Sequence, residues 1–190
     1  MNEIELVKEI QSGDMNALGE IFEKYKNQAL KYSYFITENK FSSEDIVQEA
    51  FIKCYLSAKS LKNPEQFKSW FFKILTRIAW KHAGKEKKIL PVENIFEKAD
   101  DENIDKSINM YLVSQEEEAL HAEIQRLDLK NKTVIILYYF NSLSINEISK
   151  VMGCFEGTVK SRLYSARKKL KKSLLNSEKC IVLKEKECGN

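Results

Sequence analysis

The stretch LSINEISKVMGCFEGTVKSRLYSARKKLKK, residues 143–172, decides how this chain is read. Ile145, Ile148 and Met152 recur at helical spacing, and Gly153 follows where a left-handed C-cap is needed. A second helix starts near Glu156. On it Val159, Leu163, Ala166 and Leu170 fall within about 60° of one another at about 100° per residue. The opposite side carries Ser161, Tyr164, Ser165 and Lys168, flanked by Lys160, Arg162 and Arg167. From Lys160 to Lys172 there are seven basic residues and no acid. This is the layout of a helix-turn-helix, in which the inner stripe packs on the first helix and the outer face enters a major groove. Gly157 and Thr158 extend the candidate DNA surface to the helix start, where the bare backbone of Gly157 allows close approach to phosphates. The same residues also fit a plainer reading, an amphipathic helix with a solvated lysine face.

Working outward, the 190 residues can hold one domain or two small ones. Two Pro and six Gly leave few breaks in a chain dominated by Leu, Ile, Lys and Glu, so an all-α fold is expected. The net charge of +3 says little, but its distribution says more. Residues 66–88 hold seven Lys or Arg against one acid, and residues 89–118 hold nine acids against two Lys. Two basic segments separated by an acidic one point to two nucleic-acid surfaces and a connector that avoids them. Cys54, Cys154, Cys180 and Cys188 show no C-x-x-C pairing and no His82 or His121 beside them, so no metal site is read. Cys54 and Cys154 fall at positions that look buried, and reduced thiols are expected. No apolar window reaches the roughly 18 residues of a membrane helix and no signal peptide opens the chain, so a cytoplasmic protein without membrane insertion is expected.

The first half reads as four helices. One runs from about Glu3 to Ser12, and Asp14 caps a second that continues to Thr37 with Ala17, Ile21, Tyr25 and Leu30 inward. Ser42 and Asp45 suggest a capping-box start for a third over 44–59. Its core stripe is Val47, Ala50, Phe51, Cys54 and Ala58. The other side mixes Asp45, Gln48 and Glu49 with Ile52, Tyr55 and Leu56, and large apolar side chains on a polar face fit a protein partner. A neighbouring helix of the same chain could equally cover them. Asn63-Pro64 opens a fourth helix that runs to about Gly84. Phe67, Phe71, Ile74, Leu75 and Ile78 form its inner face, and Trp70, Lys73, Thr76, Arg77 and Trp80 gather opposite. Aromatic planes beside cations suit single-stranded nucleic acid, because bases stack on the rings while cations hold the phosphates. Only four of the 31 basic residues are Arg, and Arg77, Arg162 and Arg167 lie on the two proposed nucleic-acid helices. Residues 85–114 read as an acidic linker, 115–176 as a second helical domain of four helices (115–128, 130–141, 144–152, 156–176), and 177–190 as a loose tail.

The pieces SEDIVQEAFIKCY, NPEQFKSWFFKILTRIA and LSINEISKVMGCFEGTVKSRLYSARKKL, in this order, resemble an extracytoplasmic-function sigma factor of bacterial RNA polymerase over residues 10–175 or so. That resemblance implies an N-terminal domain (1–84) docked on core polymerase through Asp45, Ile46, Val47, Gln48, Glu49, Phe51 and Ile52. It also implies that Trp70, Lys73, Thr76, Arg77, Trp80 and Lys81, with the loop 62–67, read and melt the −10 promoter element. The helix-turn-helix would read the −35 element as duplex through Gly157, Thr158, Lys160, Ser161, Arg162, Tyr164, Ser165, Arg167 and Lys168. The acidic linker would thread toward the active-centre and RNA-exit channels, and an anti-sigma protein is implied as a further partner. The chain departs from the family pattern at Arg77 and Lys81, where Asn and Asp are frequent, and Arg77 is similar to a cell-envelope-stress subgroup. Phe155 stands where a helix-capping Ser or Pro is usual, and Ser165 where a base often sits.

Two functions compete on these residues. A promoter-specificity subunit accounts for all three motifs, whereas a helix-turn-helix regulator acting on duplex DNA without polymerase accounts only for residues 143–172. No Gly-rich phosphate loop, metal spacing or nucleophile–base pair appears, so neither an enzyme nor a cofactor is expected.

Overall fold

Asn2 accepts a hydrogen bond from the Glu5 amide, and the Glu5 carboxylate accepts one from the Asn2 amide, which starts α1 (Glu3–Ser12) with a closed capping box. The computed structural model describes residues 2–89 and 115–176. Gly13 ends α1 at φ +104°, and Asp14 caps α2 (Met15–Thr37), as the sequence predicts. The third helix, α3 (Lys40–Ser57), begins a turn before the predicted start. Asn39, rather than Ser42, supplies the cap, its side chain accepting from the Ser42 amide at 2.9 Å. A 3-10 turn at Pro64–Gln66 leads into α4 (Phe67–Ile89), which runs five residues past the predicted stop at Gly84. A Cβ at Gly84 would meet nothing within 4 Å, so nothing local forces a break there. The rest of the predicted linker (90–114) and the tail (177–190, with Cys180 and Cys188) lie outside the described residues.

The second half contributes α5 (Gln115–Gln125) and α6 (Leu129–Ile135), the latter capped by Asp128. A π-helical turn, Ile136–Phe140, continues α6, and α7 (Ile145–Met152) and α8 (Glu156–Asn176) follow. Every regular element among the described residues is helical, which bears out the all-α expectation.

Tyr32, Phe67, Phe71, Phe72, Ile21, Ile46 and Leu75 are fully buried between α1 and α4. Their rings interlock, with Phe71 lying 4.8 Å from Phe51 and 5.7 Å from Tyr25, centroid to centroid. On α2 the buried residues include Ala17, Ile21, Tyr25, Ala29, Tyr32 and Phe35, while Leu30, predicted inward, is half-buried. In the second half Ile124, Val134, Ile136, Leu137, Leu143 and Ile148 meet the α8 stripe of Val159, Leu163, Ala166 and Leu170.

The two halves do not stand apart. α7 packs on α4, the π turn and α6 pack on α2, and one continuous hydrophobic core runs through both. Phe35 of α2 touches Phe140 and His121 at centroid distances of 4.9 and 4.8 Å, and Tyr34 stacks on His121 at 5.7 Å and 19°. The sequence shows none of these contacts, because each joins residues more than 80 positions apart.

Candidate nucleic-acid and partner surfaces

The α7–α8 pair forms from its own local signals. Ser144 and Glu147 make a capping box for α7, and Gly153 closes it at φ +62°. Phe155 cannot cap α8, and the Glu156 carboxylate does not replace it, because its Oε1 accepts from Asn146 Nδ2 of α7 at 2.7 Å. The first-turn amides instead turn to backbone, Thr158 and Val159 both donating to the Phe155 carbonyl. The Phe155 ring itself is 87% exposed.

Lys160, Ser161, Tyr164 and Lys168 are exposed on the outer face of α8, and Gly157 is exposed with nothing within 4 Å of a Cβ built on it. Thr158, Arg162 and Ser165 are half-buried. Arg162 donates from Nη1 to the half-buried Cys154 sulfur at 3.7 Å, so Cys154 is a turn residue rather than the buried one expected.

Arg167 departs from its predicted role. Its guanidinium carbon lies 5.6 and 5.7 Å from the Tyr138 and Tyr139 rings, and its Nε and Nη2 are sealed from solvent without a hydrogen-bond partner. It lies about 40° round from Leu163, on the rim of the buried stripe, so it packs α8 onto the π turn rather than facing a groove. It also lines a cavity of about 160 Å³ with Leu120, Ile124, Ile135, Tyr139, Phe140 and Leu170.

On α4, Arg77 and Lys81 are exposed, and Trp70 and Lys73 are half-buried. Thr76 is 1% exposed, and its hydroxyl pairs with that of buried Tyr32 at 2.8 Å, so it is a core residue and not a base contact. It lies one turn from Phe72, about 40° round the helix, which puts it inside the buried stripe. Trp80, expected to be open to a base, is half-buried and donates from Nε1 to Thr133 Oγ1 of α6 at 3.0 Å.

The outer face of α3 follows the sequence pattern, but three residues that the resemblance implied for docking, Ile46, Val47 and Phe51, are buried in the core. Asp45 and Gln48 are exposed, Ile52 is 60% and Leu56 75% exposed, and Tyr55 is half-buried with its hydroxyl donating to the Gly13 carbonyl. Ile46 is fully buried, one turn before Ala50 on the core stripe, and so offers nothing to a partner. Glu49 pairs with Lys53 at 2.6 Å and approaches His82 at 3.8 Å, and the Lys53 hydrogen bond holds its carboxyl below the usual range. Exposed Phe41, Met15 and Phe22 extend the apolar character of this side of the molecule. No periodic signal in the sequence marks them. Cys54 sits in the core beneath, where burial pushes its thiol up to about 12.

Family comparisons divide the chain at the same place. The Sigma-70 region 2 model matches residues 21–89, and the Sigma-70, region 4 model matches residues 117–170. SigV, an RNA polymerase sigma factor of Bacillus subtilis, is 33% identical over 154 residues, covering 81% of this chain and 89% of that protein. The ECF RNA polymerase sigma-E factor of Haemophilus influenzae is 30% identical over 179 residues, covering 89% and 93%. This chain is an extracytoplasmic-function sigma factor. Its fold is that of CnrH, solved in complex with the cytosolic domain of CnrY, at a TM-score of 0.68 and 19% identity over 93% of this chain and 98% of that one. It is also similar to the Bartonella quintana sigma factor RpoE, solved with the anti-sigma factor NepR, at 0.60 and 18% over 83% and 96%. This sigma factor is thus a specificity subunit of transcription initiation and not an enzyme. Among its described residues no helix is long and apolar enough to cross a membrane.

Proposed function

We propose that this sigma factor divides its labour along the chain, with residues up to Gly84 forming a docking and −10-reading domain and residues 115–176 a −35-reading domain. The basic outer face of α8 reads the −35 duplex, with Lys160 and Lys168 on phosphates and Ser161 and Tyr164 toward base edges. Gly157 lets the backbone approach the strand, and Thr158, Arg162 and Ser165 flank the contact. Trp70, Lys73, Arg77, Trp80 and Lys81 of α4 hold the melted −10 strand by stacking and charge. Melting then needs no chemistry of the protein's own. A strand whose bases stack on α4 is bound better than the duplex, and that difference draws the open state.

Asp45, Gln48, Glu49 and Ile52, joined by Leu56, form the surface offered to core RNA polymerase. The protein acts in the cytoplasm, where core polymerase and DNA are, and an anti-sigma protein completes its partners. One observation carries the reading: a basic helix-turn-helix face, an aromatic–cationic helix and an acidic–apolar helix face stand on one chain of this family.

The test mixes purified protein with core RNA polymerase and promoter DNA. Specific run-off transcripts and permanganate-reactive thymines near the start site are expected. Tight duplex binding with neither core binding nor melting would establish the polymerase-independent regulator instead.

A further inference from the structure

We propose that the cavity between α5, the π turn and α8 is a binding site for a compact apolar monocarboxylate, an acid of about benzoate size, held by the Arg167 guanidinium. Two independent observations meet there. The first is a fork with nothing in it. Nε and Nη2 of Arg167 are sealed from solvent and have no hydrogen-bond partner. These two nitrogens share one edge of the guanidinium plane. That edge presents the pair of parallel N–H groups that a carboxylate accepts side by side. The contacts that fix the guanidinium supply no acceptor to it. Its carbon lies 5.6 and 5.7 Å from the ring centroids of Tyr138 and Tyr139, two rings set at 79° to each other. A cation already fixed by two rings loses little freedom when an anion arrives.

The second observation is room. Arg167 lines a cavity of about 160 Å³. Buried Ile124, Ile135 and Leu170 and half-buried Leu120, Tyr139 and Phe140 complete its wall. A cavity of about 150 Å³ lined by Leu, Ile and Phe holds a benzene molecule, so this space suits one ring or a short branched chain. The lining also selects the charge. It offers one cation and no carboxylate, so a single negative charge is matched. A second charge, as on a phosphate or a dicarboxylate, would be buried unpaired. A neutral ring would fill the space and leave the fork empty. Water suits the site poorly, because a buried water needs two to four polar partners and the rest of the wall is Leu, Ile, Tyr and Phe.

The ligand would touch α8 from its inner side. Lys160, Ser161, Tyr164 and Lys168 stay exposed on the outer side, so binding tightens the seat of α8 without covering its basic face.

The test titrates the full chain with sodium benzoate by calorimetry and follows its thermal melt. Benzamide serves as the neutral twin and acetate as the anion without a ring. Benzoate should bind one to one and raise the melting midpoint by about 3–6 °C at about ten times its dissociation constant. Benzamide and acetate should each bind at least about tenfold more weakly, since one lacks the charge and the other the apolar body. Arg167→Met should lose benzoate binding. Leu120→Phe, which fills the cavity and leaves the guanidinium in place, should lose it too. No benzoate binding at about 10 mM overturns the inference. Equal responses to benzoate and benzamide, or to benzoate and acetate, overturn it as well. So does binding retained by folded Arg167→Met or by Leu120→Phe. Should Arg167→Met fail to fold, Leu120→Phe and the benzamide comparison decide alone.

Discussion

Replacing Ile52 and Leu56 together by Ala tests the docking face of α3 with little risk to the fold. The two side chains are 60% and 75% exposed, so most of their apolar surface is still available to a partner. Full burial of such a side chain is worth about 1.5–3 kcal/mol, and the exposed fractions bring the pair to about 2–4 kcal/mol on docking. Alanine keeps about a third of that, leaving a loss of about 1.5–3 kcal/mol, which is roughly 10- to 100-fold in affinity for core polymerase. The folded state should change by no more than about 0.5 kcal/mol, because neither side chain is in the core and Ala is a better helix former. Labelled core polymerase titrated with both proteins measures the affinity, and a thermal melt measures the fold. An affinity within twofold of the unmodified protein, with an unchanged melt, would refute the assignment of this face and return Ile52 and Leu56 to ordinary surface.

On α8, Lys168→Ala should lower the slope of log affinity against log salt for −35 duplex by about 0.9, the share of one neutralised phosphate, and an unchanged slope removes Lys168 from the backbone contacts. Arg167→Met should leave that slope unchanged and the melting temperature equal or higher, since two of the guanidinium nitrogens are buried without partners; a lost slope of about 0.9 would restore Arg167 to the DNA face. His121 gives the packing of the two halves a pH dependence. Burial lowers its pKa below the ordinary value of 6.5 despite Glu38 nearby, with Lys132 and Lys31 acting in the same direction as burial. The neutral ring's contribution is therefore complete above about pH 6.5 and is lost as pH falls below it toward the depressed value. Scattering from pH 7.5 to 5.5 should show an enlarging radius that His121→Phe abolishes, and the same enlargement in that variant refutes the assignment.

The helices and the helix-turn-helix were legible because their signals are local. Val159, Leu163, Ala166 and Leu170 repeat at the helical period, and Asp14, Ser144 and Gly153 sit where caps must sit. The errors fall where a helical wheel is blunt. Thr76, Ile46 and Arg167 each lie on or beside a buried stripe, and only packing shows that the stripe is wide enough to include them. The cover over Trp80 is hidden from the sequence for a different reason. Its partner Thr133 is 53 residues away, and hydrophobic periodicity carries no information about which helix covers another. The start of α3 shows the limits of capping rules, since Asn39, Ser42 and Asp45 are all good caps and the order of the chain does not say which amide will need one.

The π turn at Ile136–Phe140 has a mechanical meaning for the whole molecule. Its widened ring, closed by the Asn141 amide on the Ile136 carbonyl, inserts one residue into the helical count and rotates all that follows by about 100°. Thr133, before the insertion, meets Trp80, and Phe140, at its end, meets Phe35, while Tyr138 and Tyr139 form the bed for Arg167. A regular helix could not present all three sets to their partners at this spacing. The insertion works as a phase shifter, and deleting one residue from it would keep the first contact while turning the last away. A single codon could therefore retune how the halves meet and leave the DNA-facing side of α8 unchanged.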